Sequence, residues 1–133
     1  MMKKILTLAV AAIAGIATAL AGAPAITFDT TTHDFGNIEE DGGPVVCEFE
    51  FTNTGDEPLV IISANASCGC TKPIIPRQPI QPGEKGVITV NYQPKGRPGE
   101  FSKSIRVRTN DKKSKNVVLR ISGVAIPQTP DQQ

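Results

Sequence analysis

The chain has a single histidine in 133 residues, His33. Nucleophilic catalysis with general-base help needs a base within hydrogen-bond reach of the nucleophile, usually oriented by a third group. His33 stands beside Asp34 ahead of a strand-like stretch, where an exposed loop histidine is the simpler reading. The carboxylates are spread over turns and polar strand faces, so spacing alone brings no pair together for two-carboxylate hydrolysis. No Gly-rich phosphate loop is present, because the glycines fall in turns between strands. Basic excess is also missing: the net charge of +1 drops to −1 once Lys3 and Lys4 are removed, which takes away the simplest argument for nucleic-acid binding. These absences argue against an enzyme.

The N-terminus carries Met1-Met2-Lys3-Lys4 and then an apolar run from Ile5 to about Ala21, interrupted by Thr7, Gly15 and Thr18. That is the layout of a secretory signal peptide over residues 1–21. Ala19-Leu20-Ala21 offers small residues at the positions a signal peptidase reads, which sets cleavage after Ala21, with Ala25 as second choice. An uncleaved anchor competes, since the run reaches the lower end of the roughly 17–25 residues that span a bilayer. Its alanine-rich composition and small-residue end favour cleavage. No cysteine follows the site, so it is not a lipoprotein signal. The expected location is the periplasm or the exterior of a bacterial cell, with no stable membrane insertion after cleavage.

Residues 22–126 suit one domain. Turn chemistry recurs at short intervals, as in Asp41-Gly42-Gly43-Pro44, Asn53-Thr54-Gly55-Asp56, Gln81-Pro82-Gly83-Glu84 and Pro94-Lys95-Gly96-Arg97-Pro98-Gly99. The runs between have strand length. In Val45-Val46-Cys47-Glu48-Phe49-Glu50-Phe51 the odd positions are apolar and Glu48 and Glu50 alternate with them, a period of two. The same alternation sets Val117, Leu119 and Ile121 on one face, and Ile105 and Val107 against Arg106 and Arg108. Residues 59–62 are apolar on both faces, which predicts a central strand. With 25–29, 34–38, 86–92, 101–108 and 116–124, about seven strands are predicted and no helix. That pattern is an all-β, immunoglobulin-like β-sandwich. The tail, 127–133, has no core face and is expected to fray.

Charge is divided unevenly. From Gly22 to Thr71 there are nine acids and no Lys or Arg; from Lys72 onward twelve basic residues face four acids. In a small domain whose halves intermix, cross-strand complementarity is the expected use of this division. A dipolar surface that steers a charged partner is the other reading.

The three cysteines are Cys47, Cys68 and Cys70. Cys47 is in phase with Phe49 and Phe51, which predicts a buried structural thiol. Cys68 and Cys70 flank Gly69 in Ser67-Cys68-Gly69-Cys70-Thr71, with Pro73 and Pro76 following, so the phase argument does not bury them. An export signal implies an oxidising compartment, and three cysteines cannot all pair within one chain. Three arrangements stand open. Cys68 and Cys70 form a small, easily reduced ring, the glycine between them easing the backbone; or Cys47 bonds one of them; or the dithiol binds a soft ion such as Cu(I), with His33 the only imidazole to complete the set. Cys68 and Cys70 are thus the candidate redox or metal residues, and no other cofactor is indicated.

Phe35-Gly36-Asn37-Ile38, Phe49-Glu50-Phe51-Thr52-Asn53-Thr54-Gly55, Ser67-Cys68-Gly69-Cys70-Thr71, Pro82-Gly83-Glu84-Lys85-Gly86 and Gly123-Val124 follow one another in an order that resembles the secreted bacterial domain-of-unknown-function family 1573, common in Bacteroidetes-type organisms. That family is similar to the sandwich domains of the abnormal-spindle, hydin and major-sperm-protein group and, more distantly, to pilus-type periplasmic chaperones. The resemblance implies a fold and a compartment but no reaction. Cys47 departs from the family pattern, which usually has an ordinary apolar residue there. The reading reached is an exported, non-catalytic binding module with a protein partner; the alternative is an envelope thiol-redox or Cu(I)-binding protein that uses Cys68 and Cys70.

Overall fold

The structure, a computed structural model, describes residues 22–127. The expected signal peptide (1–21), and the expected tail beyond Pro127, lie outside the described residues. Eight strands follow in order: β1 (Ile26–Phe28), β2 (Thr32–Glu39), β3 (Val45–Asn53), β4 (Ile61–Ala66), β5 (Thr71–Ile74), β6 (Lys85–Tyr92), β7 (Gly99–Thr109) and β8 (Asn116–Ile126). They form two four-stranded sheets, ordered β1-β3-β6-β5 and β2-β8-β7-β4. Every pairing is antiparallel except β2 with β8. This is an immunoglobulin-like sandwich.

Period-two alternation explains the packing. Strand β3 turns Cys47, Phe49, Phe51 and Asn53 inward and leaves Val46, Glu48 and Glu50 exposed. From β6 come Ile88, Val90 and Tyr92, and from the other sheet Ile105, Val107, Leu119 and Ile121, all fully buried. Tyr92 of one sheet stacks on Phe101 of the other, with ring centroids 4.1 Å apart and planes 15° apart. Gly86 sits opposite Phe51 in the β3–β6 register. A Cβ there would come within 2.5 Å of the Phe51 ring, so glycine is what lets that ring lie across the strand.

Two buried polar side chains hold one end of the sandwich. The Asn53 carboxamide accepts from the Gly55 amide (2.9 Å) and the Ala25 amide (3.4 Å) and donates to the carbonyls of Glu57 and Ile80 (2.8 Å each). The Asp111 carboxylate accepts from the amides of Ile26 (3.0 Å), Lys113 (2.7 Å) and Ser114 (3.0 Å), tying β1 to the β7–β8 turn. Burial alone would raise the Asp111 carboxyl. The amides of Ile26, Ser114 and Lys113, with the Lys113 charge, outweigh it and hold the group below the usual carboxylate range.

The structure corrects four expectations. Segment 59–62 does not form a central strand: β4 begins at Ile61 and is the last strand of its sheet, with Val60 39% and Ile62 51% exposed. Its two-sided apolar composition arises because Leu59 and Ile61 serve the core on either side of a sheet-to-sheet crossing. Strand β5 was masked in the sequence by Pro73, which an edge strand tolerates because the missing N–H is not needed for the ladder. His33 lies within β2, in register with Ile121 of β8, and not in a loop before it. The opposite charges of the two halves pair across strands only once among the described residues, where Lys85 of β6 meets Glu50 of the neighbouring β3 at 3.7 Å on the surface; acidic β3 and basic β7 belong to different sheets.

Replacing Asn53 by Ala leaves the Gly55 and Ala25 amides and the Glu57 carbonyl without this partner, the Ile80 carbonyl keeping the Leu59 amide, and is expected to cost about 3 kcal/mol, read as a lowered urea midpoint at unchanged slope. Stability contributed by Asp111 is whole above the ordinary carboxyl value of about 4 and is lost as pH falls through its lowered folded value. Asp111→Asn should therefore melt earlier than the parent at pH 7, and the gap between the two should narrow from pH 4 downward in a calorimetric series.

Candidate functional site

At Ala66 the chain leaves β4, and by Thr71 it has entered β5 in the other sheet. The four residues between carry the cysteine pair. Ser67 anchors the turn to β7 twice: its amide donates to the Ser104 carbonyl (2.9 Å), and its hydroxyl accepts from the Ser104 amide (3.2 Å). Cys68 and Cys70 are joined by a disulfide, with Cα atoms 5.3 Å apart. The Cys70 amide points at the Cys68 sulfur (3.2 Å), and the Thr71 amide donates to the Cys68 carbonyl (3.3 Å). The Thr71 hydroxyl lies 3.5 Å from the Cys70 sulfur and 4.0 Å from that of Cys68. On the far side the Gln93 amide bonds the Cys70 carbonyl (2.9 Å), locking the turn to the end of β6.

The two sulfurs are not equivalent. Cys70 is 1% exposed and belongs to the core cluster, whereas Cys68 is only half-buried against it. The expectation that both escape the core fails for Cys70, because the turn folds back and delivers that residue under the end of β6. Gly69 also plays a different part from the one anticipated: its φ is outside the left-handed region, and a Cβ would meet nothing within 4 Å. Space and backbone there would accept a side chain.

Cys47 is free and buried. Burial, helped by the neighbouring Glu48 charge, pushes its thiol up to about 11, so little thiolate exists at neutral pH. His33 packs edge-on against Phe35, with centroids 4.6 Å apart. Among the described residues no three of His, Cys, Asp and Glu converge on a point where an ion would sit, so His33 is not brought to the cysteine pair.

A second feature escaped the sequence reading. Beside the turn, the outer face of the β4–β7 pair carries two adjoining grooves. One, of about 340 Å³, is lined by Ser63, Asn65, Arg106, Arg108, Lys115 and Asn116. The other, of about 280 Å³, shares Asn65 and Arg106 and runs to Ala66, Ser67 and Ser104. Register sets Arg108 opposite Ser63 and Arg106 opposite Asn65. Neither arginine nor Lys115 has a carboxylate partner among the described residues. Alternation in 101–108 already turned both arginines outward; what it did not show was that their neighbour β4 is short-chained and at a sheet edge. The alternation Ser63-Ala64-Asn65-Ala66 was the available signal.

Comparison with known proteins follows the same outline. The sequence profile of the family described as "Protein of unknown function (DUF1573)" matches residues 26–125. No match was found among curated proteins. A Porphyromonas gingivalis W83 protein of unknown function superposes with a TM-score of 0.64 at 18% identity, over 77% of this chain and 46% of that one, so the chain spans about half its length. The ASH / PapD-like domain 7 of human CEP192 gives 0.61 at 12% identity, over 92% and 99% of the two chains. The periplasmic chaperone SfaE gives 0.54 at 15%, over 81% and 62%. At these identities the likeness is one of fold.

Thiol accessibility is directly measurable. Native alkylation of the reduced protein at pH 8 should modify the Cys68 thiol of the Cys70→Ser variant within minutes. The Cys70 thiol of the Cys68→Ser variant should react at least tenfold more slowly, and Cys47 only after denaturant is added, each read as a mass increment.

Proposed function

The chain belongs to the family described as "Protein of unknown function (DUF1573)", and on that footing we infer that it is an exported, non-catalytic β-sandwich module of the cell envelope that binds a protein partner. The observation that carries the reading is the open side of β4, an edge strand with no strand paired beyond it among the described residues, next to a turn anchored to both sheets. Extended segments add to such edges through main-chain hydrogen bonds, and side-chain pockets supply selectivity. The likeness to a periplasmic chaperone fits an envelope protein that handles other chains, and residues 1–21 fit an export signal.

A second reading keeps one specific observation. The Cys68–Cys70 disulfide spans a single intervening residue, with its Cys68 end half-exposed. A small-ring disulfide open to an incoming thiolate suits thiol exchange, and the reduced pair suits Cu(I). The two readings separate in one series. Envelope extract from the host, passed over immobilised wild-type domain and over Ala64→Pro, should yield a partner retained by the first and lost by the second. If Cys68→Ser with Cys70→Ser instead abolishes retention or in-cell function while Ala64→Pro leaves both intact, the thiol reading replaces the docking one.

A further inference from the structure

Four strands end the two sheets: β1, β5, β2 and β4. Three are poor templates. β1 has three residues. Strand β5 contains Pro73, which lacks an N–H. Strand β2 is interrupted by a register shift between Asp34 and Asn37, where Gly36 takes a φ of 71°. Strand β4 has its own irregularity, but only between Ile61 and Ser63; from Ser63 to Ala66 the register with β7 is unbroken.

The direction of its amides follows from the ladder. The Ser67 amide bonds the Ser104 carbonyl. In an antiparallel pair the residues that bond the neighbour alternate with those that do not. Ser67, Asn65 and Ser63 therefore spend their main-chain groups on β7, and Ala66 and Ala64 direct theirs to the open side. Side chains alternate as well. Ser63 and Asn65 face outward beside Arg108 and Arg106, while Ala64 and Ala66 are half-buried against the core.

Neighbouring strands lie about 4.8 Å apart, and the short side chains of Ser63 and Asn65 leave the arginines of β7 a clear span across β4. An incoming strand would then meet guanidinium groups on its outer face and the alanine-lined margin of the core on its inner face. Resting on the docking role inferred above, we propose that the open edge of β4 receives an extended peptide segment in which acidic and apolar residues alternate, the acids facing Arg106 and Arg108 and the apolar residues covering Ala64 and Ala66. Charge complementarity selects this occupant. Among the described residues Arg106, Arg108 and Lys115 have no carboxylate partner, and the grooves they line follow β4 from Ser63 to Ser67. A second copy of the chain is disfavoured, since symmetric pairing of two β4 edges would bring the four arginines together along one seam.

The test uses the whole mature protein and a synthetic eight-residue peptide alternating Glu and Val. Anisotropy titration should show saturable binding that weakens at least fivefold between 50 mM and 500 mM salt and at least fivefold in Arg106→Gln with Arg108→Gln. Amide exchange at Ala64 and Ala66 should slow on peptide addition, a readout that mere charge attraction does not move. A peptide N-methylated at alternate amides, titrated against unaltered protein, should lose binding; this arm does not depend on any variant folding. Absence of binding, binding by a Lys–Val peptide as tight as by Glu–Val, or equal binding of the N-methylated peptide and heparin would each overturn the proposal, the last by showing a plain polyanion patch. If Ala64→Pro loses an envelope partner but the Glu–Val peptide fails to bind, the acidic occupant is wrong and the docking role stands; if Ala64→Pro retains the partner, both fall.

Discussion

At the end of β3 the Asn53 side chain gathers amides from Gly55 and Ala25 and carbonyls from Glu57 and Ile80 into one buried cluster. These bonds fix the path by which the chain leaves its first sheet. A few residues later Leu59, fully buried, exchanges backbone bonds with Ile80 in both directions, at 2.9 and 2.8 Å. The chain then enters the second sheet at Ile61, opposite Thr109 at the end of β7. That entry point decides the sheet order. Strand β8 already occupies one side of β7, so β4 adds on the other and, among the described residues, no strand pairs beyond it.

The Cys-Gly-Cys turn is the return crossing. Strand β4 spends six residues in the second sheet before Ser67 to Cys70 carry the chain back to become β5. A short visit of this kind needs both ends held, because a six-residue edge strand alone contributes little burial. Asn53 and the Leu59–Ile80 bridge hold the first end; the Ser67–Ser104 bonds, the disulfide and the Gln93–Cys70 bond hold the second. The disulfide is thereby given a structural reason to exist whether or not it cycles. Its buried Cys70 sulfur packs as a core atom, and the half-exposed Cys68 sulfur is the end that solvent-borne reagents meet.

Period-two patterning was enough to place Phe49, Phe51, Ile105, Val107, Leu119 and Ile121 in one core and to orient Arg106 and Arg108 outward, because each of those strands has one wet face. It failed where a strand's burial is decided by its rank in the sheet. Residues 59–62 read as central since both faces are apolar, yet Leu59 and Ile61 face the core across a crossing while Val60 and Ile62 are left in solvent. Strand β5 hides behind Pro73 for the same reason: proline counts against a strand only when both neighbours are present. At the site, the identity of the cysteine pair was legible and its depth was not. Burial of Cys70 follows from a non-local bond to Gln93, 23 positions away, which no local pattern encodes.

Charge shows how topology overrides composition. An acidic first half and a basic second half would neutralise each other if their charged strands lay side by side. Acidic β3 meets a basic residue of its neighbour β6 once, at Lys85–Glu50, while the arginine-bearing β7 lies in the other sheet, between β8 and β4. Strand β4 comes from the acidic half, but its outward residues are Ser63 and Asn65, which carry no charge to offset Arg106 and Arg108. The cationic strip is left over at an edge whose ladder is unbroken and proline-free from Ser63 to Ala66. Cations near an open edge oppose its pairing with an identical edge. The same two arginines that hold copies of the domain apart therefore leave the edge available to a strand of opposite charge, and a single placement of β4 produces both effects.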